Sequence, residues 1–476
     1  MQFFTFAFFA LMAIVFIAIK LSNSLIENRS TRIITANAIL LAASYVFIIY
    51  ADFRFALAIA ALTMMTWFAA KKEKLIPLGI ILAVLSLGFF KYTNFFIESF
   101  SKLFGNDFTA LNLIVPLGVS FYTFSSISYL VDVRRGKVKA DDLLSVALYL
   151  SFFPKLTSGP IQRSGDFFEQ AHNDRAIGFD SFKTGIQIFV FGLFKKIVLA
   201  DRLSVFVNQV YATPKAFGSL TVLLAVIAYS FQIYFDFSGY SDMAIGVAKI
   251  FGFNLPRNFN LPYLAHNVTE LWKRWHISLS SWLMEYLYFP LGGSRKGTFR
   301  SYLNLVLTMV IGGIWHGANW TYVFWGLLHG LALVVHKLWM KLTKSEKKQP
   351  SLIGSVISII LTFVLTSFCW IFFRADSFEN AIDIITRIFS FSSGLEQPYI
   401  WLFASLVLYF VGMAFAIVKS KKNSTPAKKL NVSRVEGYYP ILNLSKFWQL
   451  TFFFVFVGLT LALAYTGGSP FIYGNY

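Results

Sequence analysis

Charged side chains are scarce in this chain, and cysteine is nearly absent. Asp, Glu, Lys and Arg make up 14% of the 476 residues, whereas a soluble domain carries about 25%. Hydrophobic residues make up 57% and the mean hydropathy is +0.62, so lipid must cover much of the surface. The single cysteine, Cys369, excludes a disulfide scaffold. It lies in an apolar stretch and is expected to be a buried hydrophobe rather than a nucleophile.

Several motifs of soluble enzymes and pumps are also missing. The sequence has no P-loop, no dinucleotide fingerprint and no G-x-S-x-G elbow, which argues against an ATP-driven pump or a hydrolase that works alone. No pair of histidines has a zinc spacing such as H-E-x-x-H, so we predict no metal and no bound cofactor. No repeated pore-lining element is present, which argues against a channel.

The charge that is present is mostly positive. Lys and Arg number 42 against 23 acidic residues, a net charge of +19. The basic residues form short clusters between apolar runs, the arrangement that orients multi-pass membrane proteins. No nucleic-acid recognition motif appears, so the lipid bilayer is the expected partner and nucleic acid is not. Alternate loops are basic, which places the amino terminus outside the cytoplasm.

Apolar runs of about the length that crosses a bilayer, roughly 20 residues, recur along the chain. The first, Phe3–Ile19, has neither a basic region before it nor a cleavage site after it, so we expect a retained helix. We predict an all-α, polytopic membrane protein with roughly 11–13 membrane helices. The remaining runs are Ile33–Tyr50, Phe55–Ala70, Leu75–Phe90, Leu111–Val131, Leu143–Phe153, Ile186–Leu199, Leu220–Ile233, Tyr302–Ile311, Trp320–Val335, Ile353–Phe373, Ile400–Val418 and Phe447–Tyr465.

Several runs in the middle of the chain are too short to span a bilayer alone. We therefore expect broken or re-entrant helices there, which are tolerated where protein or a water-filled cavity shields their backbone. The whole chain, 1–476, is predicted to form one membrane-embedded domain. Within it, peripheral helices cover about 1–110, a core about 111–340, and C-terminal helices about 351–476.

Polar residues within three apolar segments are candidates for function, because each is costly in a membrane unless it is partnered or used. The first segment is Phe231–Asp242. Asp236, Ser238 and Gly239 resemble a helix break and restart, with Asp236 or Ser238 capping the new helix. A purely structural, hydrogen-bonded cap is the alternative.

The second segment is Glu270–Trp282, in which Trp272, Trp275 and Trp282 recur at helical spacing. We predict an amphipathic helix at the membrane interface, with Lys273 and Arg274 available for anionic groups. His276 would lie on the face of Trp272, one turn later.

The third segment, Gly312–Trp320, places His316 between Trp315 and Gly317. Its glycines allow close approach of backbones. A neutral imidazole in such a pocket can take a proton from a hydroxyl. His329 and His336, seven residues apart on one helix face, are expected to pack or to lie at the interface.

These segments resemble the membrane-bound O-acyltransferases, in particular the branch of alginate O-acetylases and peptidoglycan O-acetyltransferases. The resemblance runs in order over nearly the whole chain, and Met284-Glu285 departs from the expected Arg-Asp pair. The segments that carry it are Tyr234–Asp242, Arg274–Ser280, Tyr288–Gly293 and Gly313–Gly317, with weaker matches at Ser120–Phe124, Phe153-Pro154 and Ser158–Ile161.

The resemblance implies both the reaction and the residues that perform it. The membrane helices would surround a central tunnel. An acetyl group would come from a cytoplasmic donor, acetyl-CoA, and pass through this tunnel to an extracytoplasmic polysaccharide, often through an SGNH-hydrolase-like partner protein. The enzyme would lie in the bacterial inner membrane. His316 would be the catalytic base, and His276 would orient the reactants or polarise the carbonyl. The residues expected to contact substrates or line the cavity are Asp236, Ser238, Tyr240, Lys273, Arg274, Trp275, Trp315 and Asn319.

Other readings of the sequence remain open. A related enzyme would pass D-alanine from a carrier protein toward teichoic acid. A polysaccharide-export or transport protein would need neither histidine. Lys273 and Arg274 have two interpretations of their own, contact with the CoA phosphates or, as we favour, a role as interfacial cations whose stems lie along apolar surface.

Overall fold

The computed structural model of the chain describes residues 3, 5–105, 109–175, 177–343, 351–422, 439 and 441–467. The described residues are largely helical, and they contain no strand beyond an isolated bridge between Phe217 and Leu395. The amino-terminal helices are α1 (Phe6–Leu25), α2 (Arg29–Ala51), α3 (Phe53–Ala70), α4 (Ile76–Phe104), α5 (Val119–Arg134), α6 (Leu143–Ser151), α7 (Phe153–Leu156), α8 (Ser164–Ala171) and α9 (Phe179–Phe194).

The helices that follow include the segments with candidate site residues. A π-helical stretch, Lys195–Ala200, joins α9 to α10, and a second one, Met284–Tyr288, follows α13. The later helices are α10 (Asp201–Ala212), α11 (Ser219–Ile250), α12 (Val268–Arg274), α13 (Ile277–Leu283), α14 (Thr298–His316), α15 (Trp320–Thr343), α16 (Leu352–Arg374), α17 (Phe378–Phe389), α18 (Ile400–Lys422) and α19 (Phe447–Ala462).

Seven helical segments of the described residues are long and apolar enough to cross a membrane. They are Phe6–Leu25, Arg29–Ala51, Phe53–Ala70, Glu73–Phe104, Ser219–Ile250, Trp320–Thr343 and Leu352–Arg374, and two shorter apolar helices are Ile400–Gly412 and Phe447–Ala462. The predicted fold class, an all-α polytopic membrane protein, is confirmed. The expected short helices are also present between the long ones, whereas the tunnel remains a prediction.

The chain divides into two compact units. The first comprises Met1–Phe191, Ser241–Pro256 and Ile441–Leu450, and the second comprises Gly192–Tyr240, Arg257–Pro440 and Thr451–Tyr476. Aromatic rings fill the first unit, where Phe152, Phe167 and Phe253 pack with ring centroids 4.7–5.6 Å apart. The predicted division into amino-terminal, core and C-terminal parts of one domain remains a prediction.

The second unit contains the first polar segment as far as Tyr240, together with the whole of the second and third polar segments. Its core is built from buried aromatic side chains of α10, α11, α15 and α16, together with Trp275. The largest are Trp325 and Trp370, which stack at a centroid separation of 5.6 Å. Aromatic pairs of this kind contribute about 0.5–1.5 kcal/mol beyond burial.

The predicted helix break at Asp236–Gly239 is wrong, because α11 continues from Ser219 to Ile250. Gly239 serves close packing instead. A Cβ atom there would lie 2.7 Å from the carbonyl oxygen of Gly192, so only glycine lets these two backbone segments approach. The polar side chains of this segment are therefore accommodated within a continuous helix.

The predicted amphipathic helix across Trp272–Trp282 is also wrong. Helix α12 ends at Arg274, and α13 begins at Ile277, after a left-handed residue at His276 with φ 42°. Two backbone hydrogen bonds to the segment before α12 hold this break in place. Asn260 N–H donates to Arg274 O, and Ile277 N–H donates to Asn258 O, both at 2.9 Å. Trp275 and Trp282 are buried rather than lying in an interfacial belt, and His276 does not share a helix face with Trp272.

Candidate active site

His316 is the last residue of α14, and its side chain is buried. Its ring lies within aromatic walls, with centroids 4.9 Å from Trp315, 5.2 Å from Trp325 and 5.2 Å from Phe373. The interplanar angles of 73–87° make these edge-to-face contacts. This packing restricts the orientation of the imidazole.

The position of His316 depends on close contact between α14 and α15. A Cβ on Gly313 would lie 2.3 Å from Tyr322 O, and one on Gly326 would lie 2.4 Å from Met309 O. A Cβ on Gly317 would lie 2.3 Å from the Tyr322 ring. The prediction that these glycines permit close approach of backbones is confirmed for Gly313, whereas Gly317 makes room for a side-chain ring. Gly317 has an extended backbone with φ −171° and does not use the left-handed conformation.

His276 occupies the break between α12 and α13, where 1% of its surface is exposed. The ring contacts Phe237 of α11 at 4.6 Å and Trp315 at 6.3 Å between centroids. Its Nδ1 lies 3.3 Å from the Asn258 side-chain oxygen. That oxygen also accepts the Ser278 hydroxyl at 2.6 Å and the Ser278 N–H at 3.2 Å.

Trp315 links the two predicted catalytic histidines, because its ring contacts both His276 and His316. Trp275 extends this aromatic group through Trp370, 5.0 Å away. Trp370 in turn stacks on Trp325, which contacts His316. The structure thus brings together His276, His316, Trp275 and Trp315, four of the residues that the sequence singles out.

Asp236 lies in a buried charge cluster one residue from Phe237. Lys196 Nζ is 2.6 Å from an Asp236 carboxylate oxygen and 2.8 Å from one of Asp201. All three side chains are at most 5% exposed. Ser238 is buried nearby on α11, and Tyr240 is half-buried. Asp236 is thus held in an ion pair one residue before Phe237, which contacts His276. The predicted role of Asp236, Ser238 and Tyr240 in lining a cavity or contacting substrate remains a prediction.

Arg274 is engaged in an ion pair at the end of α12. Its Nε and Nη2 donate to Glu270 Oε1 at 2.9 and 2.7 Å, and its Nη1 donates to Asn260 O at 3.2 Å. Burial opposes ionisation of Glu270, but hydrogen bonds from His266 and Arg274 outweigh it and lower the pKa of Glu270. Arg274 is thus held by protein groups, whereas Lys273 is exposed. Their predicted contact with substrate phosphates remains a prediction.

Asn319 caps the start of α15. Its side-chain oxygen accepts the Thr321 N–H at 3.0 Å, and its amide nitrogen donates to Asp376 O at 3.1 Å. These bonds fix the turn between His316 and α15. A role in binding substrate remains a prediction.

Sequence reasoning missed Lys196, Asn258 and the environment of His329. The signal for Lys196 was a lysine pair, Lys195-Lys196, inside the apolar run Ile186–Leu199. His329 is fully buried among Trp272, Trp325 and Trp370, at 5.0–6.2 Å between centroids. Within the described part of the chain, neither of its ring nitrogens has a hydrogen-bond partner. The expected packing role is consistent with this position.

One group of side chains in the described ranges has a spacing suited to a metal ion. It consists of Asp141, Asp142 and His172, whose ligand atoms lie within 4.8 Å of one another. His172 Nε2 is already 3.0 Å from Ser145 Oγ and 3.3 Å from Asp141 Oδ1, so these groups satisfy one another. We assign no metal to them, and the expected absence of metal remains a prediction.

Comparison with known proteins identifies the family. The profile of the membrane-bound O-acyltransferase family matches residues 72–375, a range that includes both histidines and Trp315. The chain belongs to the membrane-bound O-acyltransferase family. It is therefore an acyltransferase that crosses the membrane several times, and a non-catalytic export protein is disfavoured.

Relatives of this O-acyltransferase cover most of its length. A protein of Pseudomonas putida named as a probable alginate O-acetylase is 35% identical over 92% of this chain and 94% of its own. A peptidoglycan O-acetyltransferase of Helicobacter pylori is 39% identical over 66% of this chain and 64% of its own. A teichoic acid D-alanyltransferase of Bacillus subtilis is 32% identical over 56% of this chain and 71% of its own.

Proposed function

We propose that this protein transfers an acetyl group from cytoplasmic acetyl-CoA, across the bacterial inner membrane, for O-acetylation of an extracytoplasmic polysaccharide. The observation that carries the proposal is the contact of both His276 and His316 with the ring of Trp315 inside the family-matched segment. The names of the alginate and peptidoglycan relatives support acetyl as the group and a polysaccharide as the final acceptor.

The chemistry requires one base and a confined thioester. The acceptor oxygen attacks the thioester carbonyl carbon while neutral His316 takes the hydroxyl proton. When the tetrahedral intermediate collapses, the carbon–sulfur bond breaks and the thiolate leaves. The His316 imidazolium then gives its proton to this thiolate, which forms the CoA thiol and restores neutral His316. The aromatic walls around His316 would limit the access of water, which would favour transfer over hydrolysis.

The polymer is reached through a second protein in this proposal. An SGNH-hydrolase-like acetyltransferase outside the membrane would accept the acetyl group and pass it to alginate, peptidoglycan or a similar polysaccharide. This part rests on the resemblance to the acetylase branch and on the polysaccharide names of its relatives.

The test uses the purified chain in lipid vesicles with radiolabelled acetyl-CoA, the polymer and the partner protein. We expect label on the partner or polymer. The change His316→Ala should lower transfer about 10²–10⁴-fold, the range for loss of a general base. His336→Ala is the matched control, because His336 is half-buried on α15 and contacts Thr269 Oγ1 at 2.9 Å.

Two outcomes would contradict the proposal. Full transfer by folded His316→Ala protein would remove His316 from the chemistry. Transfer that requires a D-alanyl carrier protein and ignores acetyl-CoA would establish the alternative, D-alanylation of teichoic acid, which the Bacillus subtilis relative favours.

A further inference from the structure

We infer that Asn258 is a positioning residue that makes His276 a hydrogen-bond acceptor at Nε2. Asn258 lies outside the helices, and its backbone is tied to the α12–α13 break because Ile277 N–H donates to Asn258 O at 2.9 Å. Its side chain is held at the same point by Ser278. The amide is therefore anchored twice beside the His276 ring.

The Ser278 contacts identify which atom of the Asn258 amide faces His276. A backbone N–H can only donate, and Ser278 N–H points to the Asn258 atom that contacts His276, at 3.2 Å. That atom is consequently the oxygen. An amide oxygen only accepts, so the Nδ1 of His276, 3.3 Å away, must carry the proton.

The tautomer decides what the other ring nitrogen can do. Neutral imidazole carries one proton, so Nε2 of His276 keeps its lone pair. Within the described residues this Nε2 is buried and has no hydrogen-bond partner. It is thus placed to accept a hydrogen bond from a substrate hydroxyl. It cannot donate one to a carbonyl oxygen, so orientation of the reactants is favoured over polarisation of the carbonyl.

Among the described residues, the side chains shown in contact with the ring are uncharged. Its contacts besides Asn258 are Phe237 and Trp315. On the elements that carry these residues, the titratable groups nearest in sequence are His316 beside Trp315, Asp236 beside Phe237, and Arg274, two residues before His276. The other charged residues of these helices are Asp242 and Lys249 on α11, Glu270 and Lys273 on α12, and Arg300 on α14. Asp236 is paired with Lys196, and Arg274 with Glu270. A carboxylate introduced at position 258 would therefore be the charge directly against Nδ1.

Nitrogen NMR of the full chain, labelled with ¹⁵N-histidine in lipid nanodiscs, tests the tautomer without any activity. The His276 signal is found by comparison with His276→Gln. We expect a protonated Nδ1 and an unprotonated Nε2 in the unmodified protein and in Ser278→Ala, which keeps the Asn258 oxygen and the Ser278 N–H. In Asn258→Leu the proton should redistribute to Nε2. A protonated Nε2 in the unmodified protein, or no change in Asn258→Leu, would overturn the inference.

The role in catalysis rests on the proposed function and has its own measurement. Asn258→Asp keeps the acceptor but favours the imidazolium, so the acidic limb of the kcat/KM profile should move up by about 1–3 pH units. A purely structural Asn258 would leave that limb in place, which would overturn the catalytic role.

A complete lack of acetyl transfer would overturn the proposed function, while the NMR result would still decide the tautomer. Asn258→Asp can also replace Asn258→Leu as the folded NMR comparison, with Nδ1 expected to stay protonated.

Discussion

Lys196 is a single buried residue on which we expect the stability of this membrane protein to depend. It lies between Asp201 and Asp236, and all three side chains are at most 5% exposed. Lys196→Met would leave two buried carboxylates without this cation. Because breaking a buried ion pair leaves uncompensated charge, we expect a loss of about 3–5 kcal/mol in the free energy of unfolding. Thermal unfolding in detergent, calibrated with denaturant, measures it.

A second lysine provides the comparison for this prediction. Lys183 pairs with Asp180 at 2.8 Å, but the Asp180 side chain is 96% exposed. Solvent screens such a pair, so Lys183→Met should change the free energy of unfolding by less than about 1 kcal/mol. Equal unfolding temperatures for the two variants would mean that the Lys196 cluster adds no stability.

At the scale of an element, the stability of the α14–α15 hairpin is expected to depend on the absence of a Cβ atom where the two helices touch. In Gly313→Ala the new Cβ would lie 2.3 Å from Tyr322 O, which forces the helices apart. We expect a destabilisation of about 1–3 kcal/mol, the usual effect of overpacking. Transfer should also fall, because His316 follows one turn later. Unfolding and transfer are measured on the same preparation.

Gly88 of α4 is the matched control for the hairpin. A Cβ there meets nothing within 4 Å, so Gly88→Ala should leave the protein unchanged or more stable by up to about 1 kcal/mol. If Gly313→Ala were as benign as Gly88→Ala, the close contact of α14 with α15 would not be a constraint on the fold.

The elements also show which features a sequence can reveal. His276 and His316 could be singled out from the sequence, because polar residues in apolar runs are costly and stand out; their catalytic roles remain a prediction. The course of α11 could not, because a glycine either breaks a helix or allows close packing, and Gly239 reveals its role only opposite Gly192. The contact of Lys196 with Asp236 and that of Asn258 with His276 join residues far apart in sequence, so local patterns did not predict them.

At the scale of the whole molecule, the basic loops make a prediction about orientation. Cys369, the single cysteine of the chain, is fully buried, so single cysteines can be introduced without a competing reactive thiol. A membrane-impermeant maleimide added outside intact cells should label Arg54→Cys and spare Lys72→Cys and Lys137→Cys, because positively charged loops stay in the cytoplasm.

The label should reach all three cysteines once the membrane is made permeable, which controls for their intrinsic reactivity. Labelling of Lys72→Cys in intact cells would reverse the assigned orientation. It would also place the basic loops, which we predict to lie on the side where acetyl-CoA enters, outside the cytoplasm.

The glycine contacts between α14 and α15 have a consequence for motion. With backbones this close and aromatic rings on three sides, the imidazole of His316 has little freedom to travel. Donor and acceptor must be delivered to a fixed point, and any gate that admits them has to be built from other segments of the chain. Opening and closing would then regulate access while the reacting geometry stays constant.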